Sequence, residues 1–256
     1  MFNSKVFLAE FIGTFALVFI GAGAGMSGAG LVAVALAHGL TLAVFAYAFG
    51  SISGTHVNPA VTLGLAANGN IKWDLAIVSY WVPQFAGAAL AGFLLNTVAN
   101  MTGASLSDGA TVGALTTTVP VLAMIVETVL TFFLVNTILH TAVSGKGGPL
   151  AGLAIGLTLT VAILAGGPLT GASLNPARTF GTAIFSAPSF ANTNTYLVYL
   201  MGPFMGSILA VITYNFLDAK PGEATVEVEV EVEKEDAPEK VTVKRAVRKS
   251  TRTAKK

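Results

Sequence analysis

Two asparagines, Asn58 and Asn175, each open an Asn-Pro-Ala tripeptide: Asn58, Pro59, Ala60 and Asn175, Pro176, Ala177. Asparagine is among the best helix N-caps, and proline suits the first helical position because its missing N–H would be unpaired there anyway, so each tripeptide predicts a helix start. An oxygen engaged in capping its own helix leaves the amide NH2 free to donate to a small neutral acceptor. Each helix start also carries roughly half a positive elementary charge, which repels cations. Arg178, directly after the second tripeptide, adds a fixed cation. This chemistry is hydrogen-bond recognition combined with electrostatic exclusion. Nothing in the first 218 residues adds bond-making chemistry: there is no cysteine, no Ser-His-Asp set, no pair of catalytic carboxylates, no metal-ligand cluster and no phosphate loop. An enzyme is not expected, nor a metal or other cofactor.

The elements that must position these groups are apolar. Of the 256 residues 54% are hydrophobic and 11% charged. Before residue 219 the charged side chains are only Lys5, Glu10, Lys72, Asp74, Asp108, Glu127, Lys146, Arg178 and Asp218. A membrane domain over 1–218 and a disordered, charged tail over 219–256 are therefore expected, the tail having too little apolar surface to fold alone. A spanning helix needs about 20 mostly apolar residues. Six stretches qualify, near 6–25, 31–50, 73–98, 120–142, 148–166 and 195–217. The first is read as a span rather than a cleaved signal peptide, since no small-residue cleavage site follows it. Lys5, Lys72, Lys146 and the basic tail share the side of the termini, whereas the opposite loops carry only Asp108. By the positive-inside rule both termini are cytoplasmic, and the expected location is the plasma membrane.

The shift that carries Asn58 onto Asn175 also carries Glu10, Thr14 and Phe15 onto Glu127, Thr131 and Phe132, and Ala37, Gly39 and Leu40 onto Ala154, Gly156 and Leu157. One constant offset over so long a stretch is a duplication, with repeat 1 over about 1–110 and repeat 2 over about 118–218. Three spans per copy, an odd number, force the second copy to enter the membrane from the opposite face. Such inverted repeats place their solute site near the midplane. The segments 58–68 and 175–185 are too short to cross and are read as re-entrant half-helices meeting there, where irregular backbone can line an aqueous lumen.

Three segments together carry a family resemblance: Ala9 to Phe15 (AEFIGTF), Ser53 to Thr62 (SGTHVNPAVT) and Gly171 to Gly181 (GASLNPARTFG). In these the chain resembles the major intrinsic proteins, the aquaporins and aquaglyceroporins, over residues 5–218. The resemblance implies an all-α membrane protein of six tilted helices plus two half-helices around a pore, and a homotetramer with one pore per subunit. It also implies an outer selectivity filter at His38, Ile163, Ala172 and Arg178, and carboxylates, here Glu10 and Glu127, that accept hydrogen bonds from the re-entrant loops. A rise of 1.5 Å per helical residue puts Arg178 about 5 Å outward of the midplane, level with the outer halves of the spans bearing His38 and Ile163.

The water-selective filter of this family pairs an aromatic on span 2 with a histidine on span 5. Here span 2 offers His38 and span 5 Ile163, a filter similar to the plant vacuolar-membrane type, which is wider and less polar on one wall. Thr179 and Ala183 stand where the glycerol branch differs, as in water channels. The expected function is passive permeation of water and small neutral solutes with exclusion of ions and protons. A channel mainly for ammonia, urea or glycerol is the alternative. A proton-coupled transporter is the rival class, and it would need a chain of titratable groups to which His56 and His140 are poor contributors. The basic stretch 244–256 follows a span on the cytoplasmic side, a position suited to anionic lipid rather than nucleic acid.

Overall fold

The computed structural model describes residues 2–218; the expected tail lies outside the described residues. Eight helices carry the architecture: α1 (Ser4–Met26), α2 (Gly30–Ser53), the short α3 (Pro59–Ala67), α4 (Trp73–Thr102), α5 (Pro120–Val143), α6 (Gly148–Thr170), the short α7 (Pro176–Ala183) and α8 (Thr193–Asp218). Among the described residues there is no strand. The six long helices have the length and apolarity to cross a bilayer. Helices α1 to α4 and α5 to α8 are matched by the repeat. In each half the first helix packs on the second and on the last, and α2 runs along α6 to join the halves.

Large apolar side chains face outward, among them Val44, Phe93, Val161 and Ile212. Polar groups such as Glu10, Gln84 and Glu127 are fully buried. This inverts the pattern of a soluble protein. With no hydrophobic drive between helices in lipid, close approach through small residues takes over. Where α2 crosses α6, a Cβ placed on Gly39 would run into the Gly156 carbonyl and the Thr160 side chain, and one on Gly156 into the Gly39 carbonyl. These two glycines are repeat partners, so the crossing lies on the pseudo-twofold axis.

Helix ends differ from the expected spans by a few residues, because glycines stop the helices rather than loss of hydrophobicity. Left-handed Gly54 (φ 79°), Gly103 (φ 76°) and Gly171 (φ 79°) terminate α2, α4 and α6. Helix α6 runs on through Pro168, and the carbonyls of Pro168 and Leu169 accept from the N–H groups of Ala114 (3.0 Å) and Leu115 (2.9 Å) in the outer loop. Helices α4 and α8 each contain a π-helical turn, Ala76–Trp81 and Leu197–Met201, just ahead of Pro83 and Pro203. A proline supplies no N–H and crowds the preceding turn, and the wider π turn accommodates it. Gly39→Val is expected to destabilise the fold by about 3 kcal/mol through overpacking at the backbone contact. Recovery of monodisperse protein and its thermal midpoint in detergent would measure the loss.

Candidate functional site

The loops between α2 and α3 and between α6 and α7 dip into the bundle with alternating left-handed residues: Thr55 (φ 52°) and Val57 (φ 44°), matched by Ala172 (φ 43°) and Leu174 (φ 53°). Four non-glycine residues at positive φ are costly, roughly 1 to 3 kcal/mol each. Their effect is to turn successive N–H groups onto one point, where each loop meets a carboxylate. Glu10 accepts from the backbone N–H of His56 (2.9 Å) and Val57 (2.7 Å), and from the Ser53 hydroxyl (2.7 Å). Glu127 accepts from Ser173 N (2.9 Å), Leu174 N (2.8 Å) and the Thr170 hydroxyl (2.7 Å). Both carboxylates are fully buried, at 0% exposure, and lie at matched repeat positions.

The same backbone twist aims the Val57 and Leu174 carbonyls across the midplane. Asn58 Nδ2 donates to Leu174 O at 2.8 Å, and Asn175 Nδ2 donates to Val57 O at 2.8 Å. Asn58 Oδ1 caps α3 through Ala60 N (2.8 Å), and Asn175 Oδ1 caps α7 through Ala177 N (3.0 Å) and Arg178 N (3.2 Å). The expected capping is thus present. The wholly free NH2 is not: one N–H of each amide holds the opposite loop, which leaves one N–H per asparagine for a solute. Pro59, Ala60, Pro176 and Ala177 are buried, and Ala60 and Ala177 are fully enclosed where the two helix starts approach.

A cavity runs along this junction, with Leu42, Val61, Leu134 and Ile155 on its apolar wall and Asn58, Asn175, His38, His56 and Arg178 as polar members. A second cavity opens outward, lined by Asp108, Val112, Ile163, Gly167 and Arg178. Arg178 belongs to both and marks the boundary between them. His38 lines the first and Ile163 the second, so each shares a cavity with Arg178. Ala172 is buried in the re-entrant loop and lines neither cavity. The Nδ1 of His38 lies 2.9 Å from the Val34 carbonyl, which can only accept, so Nδ1 carries the hydrogen. The lone pair of His38 Nε2 then accepts from Arg178 Nε at 3.4 Å. Arg178 Nη1 is buried without a partner.

Several groups that hold the site escaped the sequence reading. Gln84, the chain's only glutamine, is fully buried and donates to Glu10 (2.8 Å) and the Thr62 hydroxyl (3.0 Å). Tyr80 donates to the Ser53 carbonyl (2.8 Å) and Tyr199 to the Thr170 carbonyl (2.7 Å), so each half ties the end of its second helix to its last. In the outer loop Thr111 donates to Thr179 (2.9 Å), next to Arg178. An amide inside an otherwise apolar span was the available signal for Gln84; the others required geometry. His56 lines the cavity, stacked 4.3 Å from Tyr80, whereas His140 packs edge-on to Tyr214 at 4.9 Å and is not a lining residue. Ala46 and Ala142 also line the cavity.

Six spans around a lumen in which two half-helices meet define a channel through the membrane. A family model described as Major intrinsic protein matches residues 1–214, and the chain belongs to that family. It is 39% identical to Aquaporin AqpM of Methanothermobacter thermautotrophicus over 256 aligned residues, covering 85% of this chain and 98% of that protein. It is 40% identical to Aquaporin TIP1-2 of Zea mays, covering 84% of this chain and 86% of that one. The crystal structure of the aquaglyceroporin from Plasmodium falciparum shares the fold, with a TM-score of 0.72 at 24% identity over 83% of this chain and 95% of that one. The chain is a multi-pass membrane channel and not an enzyme.

Glu127→Gln places an amide N–H against one of the loop donors whichever way the amide turns. A loss of about 2 kcal/mol is expected, from a buried donor left unpaired. Thr14→Val removes a buried hydroxyl that has no partner, and its stability should stay within about 0.5 kcal/mol of the parent. Thermal midpoints of the two variants side by side test the contrast.

Proposed function

We propose that the protein is a passive, bidirectional pore whose main solute is water, with small neutral molecules passing as secondary solutes and with cations and hydronium excluded. The observation that carries this is the reciprocal amide-to-carbonyl exchange between Asn58 and Asn175. It holds two helix starts, each with its partial positive charge, face to face in a lumen that offers one N–H per asparagine. Paired half-helix dipoles are an established cation barrier in aquaporin-type pores, and Arg178 adds a full charge at the outer boundary. On this reading Asn58, Pro59, Ala60, Asn175, Pro176 and Ala177 form the midplane turns, His38, Ile163, Ala172 and Arg178 the filter, and Glu10 and Glu127 the loop supports.

Ile163 on one filter wall, with the acceptor of His38 already occupied by Arg178, favours ammonia and urea as the secondary solutes. The proton-coupled alternative gains little support: of the described histidines, His38 and His56 reach the lumen, and their side chains bond to Arg178 and Thr62 rather than to each other. The same reading includes a homotetramer in the plasma membrane, both termini in the cytoplasm, a channel domain over 1–218 built from the two repeats, and a tail over 219–256 dispensable for permeation.

Reconstituted into liposomes, the protein should speed osmotic shrinkage well above that of protein-free vesicles and should carry water faster than glycerol. Shrinkage at the protein-free rate, or uphill solute accumulation under a proton gradient, overturns the proposal. Arg178→Val should raise urea flux about tenfold, the equivalent of ~1.4 kcal/mol of barrier. Deletion of residues 221–256 should leave water flux unchanged.

A further inference from the structure

Each half-helix is backed by the last span of the opposite repeat, through glycines that the repeat matches, but the two contacts differ in kind. Behind α7, a Cβ on Gly181 would meet the Ala88 carbonyl of α4, and one on Gly92 of α4 would meet the Gly181 carbonyl. That contact is backbone on backbone. Behind α3, a Cβ on Gly64 would instead meet the hydroxyl of Ser207, which projects from α8. Ser207 is fully buried and donates to the Ala60 carbonyl at 2.6 Å. One residue earlier, the Pro59 carbonyl accepts from the indole Nε1 of Trp81 at 3.2 Å, and the Trp81 ring stacks on Phe204 of α8 at 6.0 Å. The structurally matched positions in the other half, Ala88 and Leu200, have no side chain able to donate.

We infer that Ser207 and Trp81 are positioning residues of the first Asn-Pro-Ala turn: a two-donor clamp, with one donor from each repeat, that fixes the direction of α3 and hence of the Asn58 amide in the lumen. The path is continuous. Ser207 holds the Ala60 carbonyl, Ala60 N–H donates to Asn58 Oδ1 at 2.8 Å, and Asn58 Nδ2 holds Leu174 O at 2.8 Å. A short helix of nine residues has little rigidity of its own. Without the clamp the turn can tilt, and the amide then leaves the solute path.

The inference rests on the channel reading for its flux readout, so a second readout is independent of it. Ser207→Ala removes one donor at the loss of a single atom, and Trp81→Phe removes the other while keeping an aromatic ring next to Phe204. Thr128→Val, which removes a hydroxyl that bonds Gly202 O (3.1 Å) between α5 and α8, is the control for loosening of that interface. In full-length protein in vesicles, amide hydrogen exchange over residues 58–67 should rise about fivefold in Ser207→Ala and in Trp81→Phe, and stay at the parent rate in Thr128→Val. Water flux per pore should fall about threefold or more in the first two, with a higher activation energy, and not in the control. Unchanged exchange in both donor variants overturns the inference, as does an equal rise in Thr128→Val. If the parent carries no water, the channel reading fails while the exchange comparison still decides the clamp. If Ser207→Ala does not fold, Trp81→Phe decides it.

Discussion

Irregular backbone in the middle of a bilayer persists only where every polar group has a partner, and here that constraint falls on two carboxylates. Glu10 and Glu127 each gather two backbone N–H groups from a loop whose residues alternate into the left-handed region. Remove either carboxylate and the twist loses the acceptor that offsets its strain. The twist in turn aims the Val57 and Leu174 carbonyls at the opposite asparagines. Capping, the meeting of the two dipoles and the alignment of the lumen all descend from that pair of acceptors. A buried carboxylate could signal proton transport. Here, four hydrogen bonds on Glu10 and three on Glu127 account for both groups as structure.

Sequence and structure agree where the controlling physics is local or periodic. Asparagine followed by proline is a helix start, long apolar runs are spans, and a constant offset is a duplication. The two Asn-capped short helices and the matched carboxylates were legible on that basis. What escaped is non-local. Nothing in the residue types of Val57 and Leu174 announces positive φ, so the commitment of one N–H of each asparagine to the other loop could not be read. The π turns before Pro83 and Pro203 place Tyr80 and Tyr199 in equivalent roles although they stand two residues out of repeat register, beyond the reach of a fixed offset. The filter position read at Ala172 rested on resemblance alone, and its side chain lines neither cavity.

The duplication also explains why scaffold and filter behave so differently. The residues that build the turns recur in both halves: Asn58 and Asn175, Glu10 and Glu127, Gly39 and Gly156. The outer-boundary residues do not. The same shift pairs Arg178 with Val61, His38 with Ile155, Ile163 with Ala46, and Ala172 with Thr55. All four of these counterparts line the lumen, yet three of them are aliphatic. His38 and Arg178 are therefore polar and cationic where their counterparts, Ile155 and Val61, are aliphatic. An apolar inner wall offers a solute few hydrogen bonds to linger on, so the donors it meets are concentrated at the asparagines and at Arg178.

On the proposed function, that asymmetry bears on how a pore that rejects charge still conducts. A water passing the midplane must give up most of its hydration, and two fixed N–H groups return part of it. A cation loses the same hydration and meets two helix N-termini and, at the outer boundary, a guanidinium with an unpaired buried N–H, all of the wrong sign. On that reading the difference in barrier comes from groups whose orientation is fixed before the solute arrives. Because those groups sit on half-helices of eight and nine residues, their orientation is a property of what packs behind them rather than of the helices themselves. In this chain the backing differs between the halves, backbone against backbone for α7 and side-chain donors against carbonyls for α3, so the two asparagines are equivalent in the lumen but not in what holds them there.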